Sequence, residues 1–263
     1  MARKLLFPCL LLAFFGAVFS SVFLYHEAVS RLRMEKALRL APTFLRYRDA
    51  NARLEVPQSD VLRVVLFGDS RIEEWSGLPA SGPYEFVNRG IGNETTAQML
   101  GRLENDVIAL RPEVVVLQLG VNDLKSIGIL RQSGHSGKIG QQTQERIKEI
   151  ATRLRDAGIT TVISTIFPVA EISWRRRLFW SSETEAWIAR INRWLLEGGL
   201  GAGIHVWDCD AFFTRDGRMD RAFARDTLHL NPAGYQELSS RLLPVIDEVL
   251  QAGRSESGER REE

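Results

Sequence analysis

Short apolar, β-branched runs alternate with amphipathic helical patterns along most of this 263-residue chain. The clearest runs begin at Val61, Val114, Ile159 and Ile204. Each is short enough for a strand, and helical spacing of apolar residues follows between them. An alternation of this kind predicts a parallel sheet that is covered by helices on both faces. The chain is therefore predicted to contain one main α/β domain.

The first of these runs, residues 61–67, stops abruptly at Gly68-Asp69-Ser70. The carboxyl ends of parallel strands form the edge at which open α/β proteins hold their ligands. Ser70 is therefore the first candidate nucleophile. A serine hydroxyl reacts only when a base takes its proton and another group orients that base.

Of the four histidines, only His229 has a carboxylate placed to orient it. Asp226 precedes it by three positions, about one helical turn, and a helix is predicted to begin at Pro232. We predict that Asp226 accepts from one ring nitrogen while the other ring nitrogen faces Ser70. An isolated Asp-x-x-His is usually a loop or helix-cap feature, so this assignment depends on further partners.

Two further segments carry groups that can bind an oxyanion. The run that begins at Val114 ends in Gly-x-Asn-Asp, where Asn122 can donate its side-chain amide. Residues 88–96 follow a short predicted strand and precede a helix that Thr95 and Gln98 can cap. Backbone N–H groups at such a helix start are available to an anion.

These four segments, in this order, resemble the blocks of the SGNH (GDSL-type) hydrolase family over roughly residues 60 to 250. The resemblance implies an α/β/α sandwich of three layers with a central parallel, flavodoxin-like sheet. It also implies that Ser70 is the nucleophile, that His229 is the base and that Asp226 orients it. The implied oxyanion hole consists of the Ser70 backbone N–H, the Asn122 amide and a backbone N–H in the second segment.

Two positions depart from the family pattern. Asn93 stands where relatives have the oxyanion glycine, and we predict that its backbone N–H serves because asparagine tolerates a left-handed φ. Gly92, one position earlier, is the reserve. Arg71 follows the nucleophile where the family pattern has leucine, and we expect this cation at the mouth of the site.

A basic and aromatic segment, residues 174–180, follows the strand pattern that stops at Pro168. We predict a substrate rim formed by Arg71, Trp174, Arg175 and Trp180. Aromatic rings there would pack on sugar or acyl groups, and arginines would attract anions. The alternative is a basic surface loop whose aromatic residues pack into the core.

The N-terminus predicts a membrane anchor or signal segment over residues 1–25. Residues 5–25 carry no charge, and the length of this run matches the ~20 residues needed to cross a bilayer. An uncleaved anchor is favoured because no clear cleavage site follows. We expect a juxtamembrane helix and connector over 26–60, the hydrolase domain over 61–252 and a disordered tail over 253–263. Flanking charges leave the orientation open, and we expect a membrane-anchored, periplasmic or extracellular domain.

Composition argues against several functions. The formal net charge of +1 gives no reason to expect nucleic acid. The two cysteines belong to no Cys/His cluster with metal-ligand spacing, so we expect neither a metal nor an organic cofactor.

We therefore predict a serine ester hydrolase that acts through an acyl-enzyme on O-acylated carbohydrate or on lysophospholipid or thioester substrates. Its expected partners are such an ester substrate and, through the N-terminal helix, a membrane. An acyltransferase with the same three residues and a non-catalytic surface binding module are the alternatives. The sequence defines neither the acyl pocket nor the oligomeric state.

Overall fold

The computed structural model describes residues 14–29, 45–57, 60–78, 82–130, 135–177 and 179–259. The chain divides into two compact units, Met1–Arg46 and Tyr47–Glu263. The first unit contains a helix over residues 14–29. The second unit contains the α/β fold, whose first strand begins at Leu62.

No helix within the described ranges combines the length and the apolar character that a bilayer span requires. The predicted transmembrane helix is therefore not supported. The first part of that predicted segment, residues 1–13, and most of the predicted connector, residues 30–44, lie outside the described residues.

Five strands of the α/β unit form one sheet, as far as the structure describes the chain. They are β1 (Leu62–Gly68), β2 (Tyr84–Gly90), β3 (Val114–Gln118), β4 (Thr160–Ser164) and β5 (Ile204–Trp207). A separate antiparallel pair consists of β6 (Thr214–Arg215) and β7 (Arg218–Met219).

The helices of this unit connect and cover the strands. They are α1 (Arg48–Ala52), α2 (Ser70–Glu73), α3 (Thr96–Asp106), α4 (Val121–Leu130), α5 (His135–Asp156), α6 (Trp174–Arg177), α7 (Ser182–Leu196), α8 (Cys209–Phe213) and α9 (Pro232–Glu259), with a 3₁₀ turn at Ile108–Leu110. Helix α9 continues to Glu259, whereas the polar composition predicted a disordered tail from residue 253.

The strand order in the main sheet is β2-β1-β3-β4-β5, and every neighbouring pair is parallel. This is the flavodoxin-like order, in which the chain reverses its direction of winding between β1 and β3. The prediction of an α/β fold with a central parallel sheet is confirmed. The winding also predicts a ligand crevice beyond the carboxyl ends of β1 and β3.

Two apolar layers enclose the sheet. Val65 and Phe67 of β1 pack into the layer formed by α3, α4, α5 and α7, and Val64 and Leu66 pack into the layer formed by α2, α8 and α9. All four side chains are completely buried, because successive residues of a strand point to opposite faces. Burial on both faces explains why β1 reads as a continuous apolar run in the sequence.

Two glycines permit close backbone contacts at the carboxyl edge of this sheet. A Cβ atom on Gly68, at the end of β1, would lie 2.2 Å from the Gln118 carbonyl oxygen of β3. A Cβ atom on Gly90, at the end of β2, would lie 2.1 Å from the Glu73 backbone nitrogen of α2. Because both neighbours are backbone atoms, no side-chain rotation can relieve either contact.

We expect Gly90→Ala to lower the free energy of unfolding by at least the ~1–3 kcal/mol that overpacking typically costs. Urea denaturation of the full-length chain measures this change. Gly137→Ala in α5 is the matched control, because a Cβ there meets no atom within 4 Å and alanine is the better helix former. An equal loss in both variants would contradict the steric explanation.

Candidate active site

The tight end of β1 and a capped helix start place Ser70 at the carboxyl edge of the sheet. The buried carboxylate of Asp69 caps α2 by accepting the Arg71 backbone N–H at 2.9 Å. Burial raises the pKa of Asp69, against the lowering effects of the Arg71 charge and this hydrogen bond. Ser70 is consequently the first residue of α2, and it is partly exposed.

Ser70, His229 and Asp226 form a continuous hydrogen-bonded series. The Ser70 Oγ lies 2.9 Å from His229 Nε2. On the other side of the ring, His229 Nδ1 lies 2.8 Å from Asp226 Oδ2 and 3.0 Å from Oδ1. The structure thus joins the ends of two segments that are 159 positions apart in the sequence.

The Asp226 carboxylate is held by the backbone as well as by the ring. Its Oδ1 accepts the backbone N–H groups of Leu228 at 2.8 Å and His229 at 3.2 Å. Partial burial raises the pKa of Asp226, but the hydrogen bonds from Leu228 and His229 and the attraction of His229 outweigh it and lower the pKa to about 2. Asp226 is therefore ionised and oriented towards the ring at neutral pH.

The second segment lies beside the nucleophile. A Cβ atom built on Gly92 would lie 3.7 Å from the Ser70 Cβ, which shows how closely this backbone approaches α2. The Gly92 N–H donates to Glu73 Oε2 at 2.8 Å. Asn93 has a φ of 65°, and within the described residues its backbone N–H has no hydrogen-bond partner.

Asn122 joins this arrangement from the end of β3. It lies in the first turn of α4, it is almost completely buried, and its Nδ2 donates to the Glu94 carbonyl oxygen at 2.9 Å. An amide nitrogen carries two hydrogens, so one remains for another acceptor. The segment that contains Asn93 is therefore bonded to the helix of Ser70 through Glu73 on one side and to Asn122 through the Glu94 carbonyl on the other.

Asp123, in the first turn of α4, binds the start of α3. Its carboxylate accepts the Thr96 backbone N–H at 2.8 Å and the Thr96 hydroxyl at 2.7 Å. Burial raises the pKa of Asp123, and the bonds from Thr96 oppose this effect. The adjacent capping box also forms, because the Thr95 N–H donates to Gln98 Oε1 at 2.9 Å.

The structure corrects part of the predicted substrate rim. Arg71 is 1% exposed and lies inside the protein, so it cannot stand at the mouth of the site. Trp180 packs against the apolar layer that contains α7, and its Nε1 donates to Glu185 Oε1 at 3.1 Å. Arg71 is held because it donates to buried acceptors such as the Leu228 carbonyl oxygen. Trp180 is held because it contacts an apolar surface with the Glu185 carboxylate beside it.

The remaining rim residues lie on α6. Trp174 is 72% exposed. The Arg175 side chain lies outside the described part of the structure. Arg176, which the sequence did not single out, approaches the site instead, with its Nη2 3.8 Å from Asp226 Oδ1.

Glu73 is a second residue that the sequence reasoning missed. Its carboxylate binds the backbone directly before Asn93, yet in the sequence it reads as an ordinary acidic residue in a first helical turn. The available signal was its spacing, since it lies three positions after Ser70 and therefore about one turn further along the same helix.

The described residues contain no group of three or more His, Cys, Asp or Glu side chains that could hold a metal ion. The site brings together a hydroxyl, an imidazole and a carboxylate in series. This arrangement can activate a serine.

Known proteins resemble this chain in sequence and in fold. Residues 65–237, more than half of the chain, match the sequence model of the GDSL-like lipase/acylhydrolase family. The chain is 24% identical over 139 residues to the uncharacterized lipoprotein YqeF of Bacillus subtilis (strain 168), with 47% of this chain and 56% of that protein covered. The chain spans about half the length of the curated relatives that it matches.

Solved structures share the fold. A proposed acylhydrolase from Bacteroides fragilis NCTC 9343 superimposes with a TM-score of 0.64 at 25% identity, covering 78% of this chain and 96% of that one. An acetyl xylan esterase, AlAXEase, gives a TM-score of 0.55 at 20% identity, covering 70% and 100%. The family match over the segments that meet at Ser70 shows that the chain belongs to the GDSL-like lipase/acylhydrolase family, a family of carboxylic ester hydrolases.

Proposed function

We propose that this protein is a serine ester hydrolase that works through an acyl-enzyme on Ser70. The observation that carries the proposal is the hydrogen-bonded series from Ser70 Oγ through His229 to the ionised Asp226. A serine with a base at 2.9 Å, and a base with an orienting carboxylate at 2.8 Å, meets the geometric requirements for nucleophilic catalysis.

In the acylation step, Ser70 Oγ forms a bond to the ester carbonyl carbon while His229 Nε2 takes the hydroxyl proton. The carbonyl π electrons move onto the carbonyl oxygen, which becomes the oxyanion. When the C=O bond re-forms, the bond to the alcohol oxygen breaks, and the leaving alcohol receives the proton from His229. Asp226 stabilises the imidazolium during this exchange.

In the deacylation step, water replaces the alcohol. His229 takes a proton from water as the water oxygen bonds to the acyl carbon, and the same oxyanion forms. Collapse of this intermediate breaks the bond to Ser70 Oγ, which recovers its proton from His229. The products are the carboxylic acid and the free enzyme, so no redox partner or cofactor enters the balance.

We assign the oxyanion contacts to the backbone N–H groups of Ser70 and Asn93 and to the Asn122 amide. The bond from the Gly92 N–H to Glu73 argues against Gly92, because that N–H is already committed to a carboxylate. The positive φ of Asn93 supports the choice, since glycine is the residue that adopts this conformation most easily and the family pattern that the sequence resembles has glycine there.

For the substrate we propose an O-acylated carbohydrate or a lysophospholipid or thioester. Exposed Trp174 and the approach of Arg176 to Asp226 support a rim that receives a sugar or acyl group beside the base. An acetyl xylan esterase has the same fold, which is compatible with an acylated sugar. Hydrolysis of acetylated xylan, of lysophosphatidylcholine and of acyl-coenzyme A by the full-length chain distinguishes these classes.

We also propose that the protein acts outside the cytoplasm. The uncharged segment 5–25 and the similarity to a Bacillus lipoprotein support this location. Digestion of the α/β unit by protease added to intact spheroplasts tests it, and protection of the unit would contradict it.

We expect Ser70→Ala, His229→Ala and Asp226→Asn each to lower kcat/KM for p-nitrophenyl acetate by at least ~10³-fold, because each breaks the series that activates the hydroxyl. Ser76→Ala and His135→Ala are matched controls at exposed positions and should retain full activity. Hydrolysis that survives both Ser70→Ala and His229→Ala would refute the mechanism.

The oxyanion assignment gives a separate expectation. Asn122→Ala should lower kcat by about 10²–10³-fold with little change in KM, as the loss of one oxyanion donor does. Asn93→Gly should retain activity, because the backbone N–H and the left-handed φ are both preserved. A loss in Asn93→Gly as large as that in Asn122→Ala would show that the Asn93 side chain, rather than its backbone, is required.

The low pKa of Asp226 predicts how stability depends on pH. Because the pKa is about 2 in the folded protein and 3.8 ordinarily, the ionised carboxylate stabilises the native state above about pH 4, and this stabilisation disappears as the pH falls towards 2. The stability difference between wild type and Asp226→Asn should therefore shrink in urea unfolding as the pH falls from about 4 towards 2. A difference that grows on acidification would contradict the assignment.

A further inference from the structure

The short helix that begins with Ser70 also carries two oppositely charged residues that contact the neighbouring segments of the site. Arg71 Nε donates to the Leu228 carbonyl oxygen at 2.8 Å. Glu73 Oε2 accepts the Gly92 N–H at 2.8 Å. Leu228 is the residue directly before His229, and Gly92 is the residue directly before Asn93.

Arg71 is held so firmly that its contact with Leu228 has little freedom. Its guanidinium is buried, and its central carbon lies 5.0 Å from the centre of the Phe167 ring. The Gln118 amide, in the orientation that satisfies both neighbours, donates to Asp69 Oδ1 at 2.9 Å and accepts from Arg71 Nη1 at 3.3 Å. The donor that faces Leu228 is therefore fixed relative to the β1 and β3 ends.

This contact acts on the peptide that carries the base. The Leu228 N–H binds Asp226 Oδ1, and the Leu228 carbonyl binds Arg71, so both polar groups of this residue are held. A leucine at position 71, as in the family pattern, has no N–H group in its side chain and cannot bind that carbonyl. The distance of 2.9 Å between Ser70 Oγ and His229 Nε2 then depends on a residue of the same helix as Ser70.

Glu73 acts on the other side of the helix. The Gly92 backbone is so close that a Cβ there would lie 2.7 Å from Glu73 Oε2. Asn88 reinforces the contact between the two elements, because its Nδ2 donates to the Ile72 carbonyl oxygen at 2.6 Å and its Oδ1 accepts the Gly90 N–H at 2.8 Å. The backbone that leads into Asn93 is thus fixed against the helix of the nucleophile.

We propose that Arg71 and Glu73 are positioning residues, through which the helix that carries Ser70 sets the place of the base and of the Asn93 oxyanion donor. This inference rests on the proposed function. Neither side chain is required to touch the substrate, and each acts through the residue that precedes a catalytic group. A misplacement of about 1 Å at such a group can cost about 10²-fold in rate.

The experiment compares leucine and conservative variants in the full-length chain. Arg71→Leu and Arg71→Lys test the contact with Leu228, and Glu73→Leu and Glu73→Gln test the contact with Gly92. Arg63→Leu is the matched control, because Arg63 is also buried and also donates to a backbone carbonyl, that of Leu110 at 2.8 Å, but lies at the start of β1 and thus at the opposite edge of the sheet. For each variant we measure kcat, KM, the melting temperature and the Ki of an alkyl trifluoromethyl ketone.

We expect Arg71→Leu and Glu73→Leu to lower kcat by about 10- to 100-fold with KM within about threefold of wild type. The ketone forms a tetrahedral adduct with serine, so its Ki should rise in parallel with the loss of kcat. Lysine at 71 and glutamine at 73 each restore a hydrogen-bonding group, so they should recover a substantial part of kcat. Arg63→Leu should lower the melting temperature without lowering kcat below the melting range.

Several outcomes overturn the inference. Wild-type kcat in folded Arg71→Leu and Glu73→Leu would do so, and so would an equal loss of kcat in Arg63→Leu. Equal losses of kcat in the leucine variants and in their conservative partners would also contradict it. If Arg71→Leu does not fold, the test uses Arg71→Lys together with Glu73→Leu and Glu73→Gln. Failure of the proposed function looks different, because wild type would then be inactive or Ser70→Ala would be as active as wild type.

Discussion

The site depends on the parallel pairing of β1 with β2 on one side and with β3 on the other. This pairing sets Gly68 opposite Gly90 and also opposite Gln118, so all three strands end at the same level. Parallel strands must be connected by crossovers, and each crossover here begins at that edge. Ser70, Asn93 and the α4 start that carries Asn122 therefore emerge side by side, although β2 separates the first two in the chain and α3 and β3 separate the last two.

Buried arginines reinforce this edge from both layers. On the α3 side, Arg102 is fully buried, binds the Glu94 carboxylate at 2.7 Å and donates to the Gly68 carbonyl oxygen at 3.3 Å. On the opposite side, Arg71 binds the carbonyl before His229. Removing one partner of a buried charged pair typically costs about 3–5 kcal/mol, so the contact between Arg102 and Glu94 strongly resists displacement. Buried charged side chains thus support the polar site from within the protein.

Much of the fold and of the site could be predicted because its determinants are local. Strand β1 is apolar on both faces, so its end at Gly68 was visible, and the spacing of Asp226 and His229 already placed a carboxylate beside a ring nitrogen. The burial of Arg71 could not be predicted, because a charged residue directly after the nucleophile is expected to be exposed. Its burial depends on Leu228, Phe167 and Gln118, which come from three distant segments. The packing of Trp180 also depends on tertiary structure, since the apolar surface that it contacts exists only after α7 has packed.

The sequence alone determined the order of strands and helices, the residues that end each strand, and the chemical groups available there, because periodicity and turn residues act over a few positions. Tertiary structure decided which of these groups meet. In the folded chain the Gly92 N–H donates to Glu73, whereas the Asn93 N–H has no hydrogen-bond partner in the described residues. Arg71, which the sequence suggested would be exposed, is buried. These choices depend on distances between segments that are remote in the chain, and only the packing of two helical layers on one sheet defines those distances.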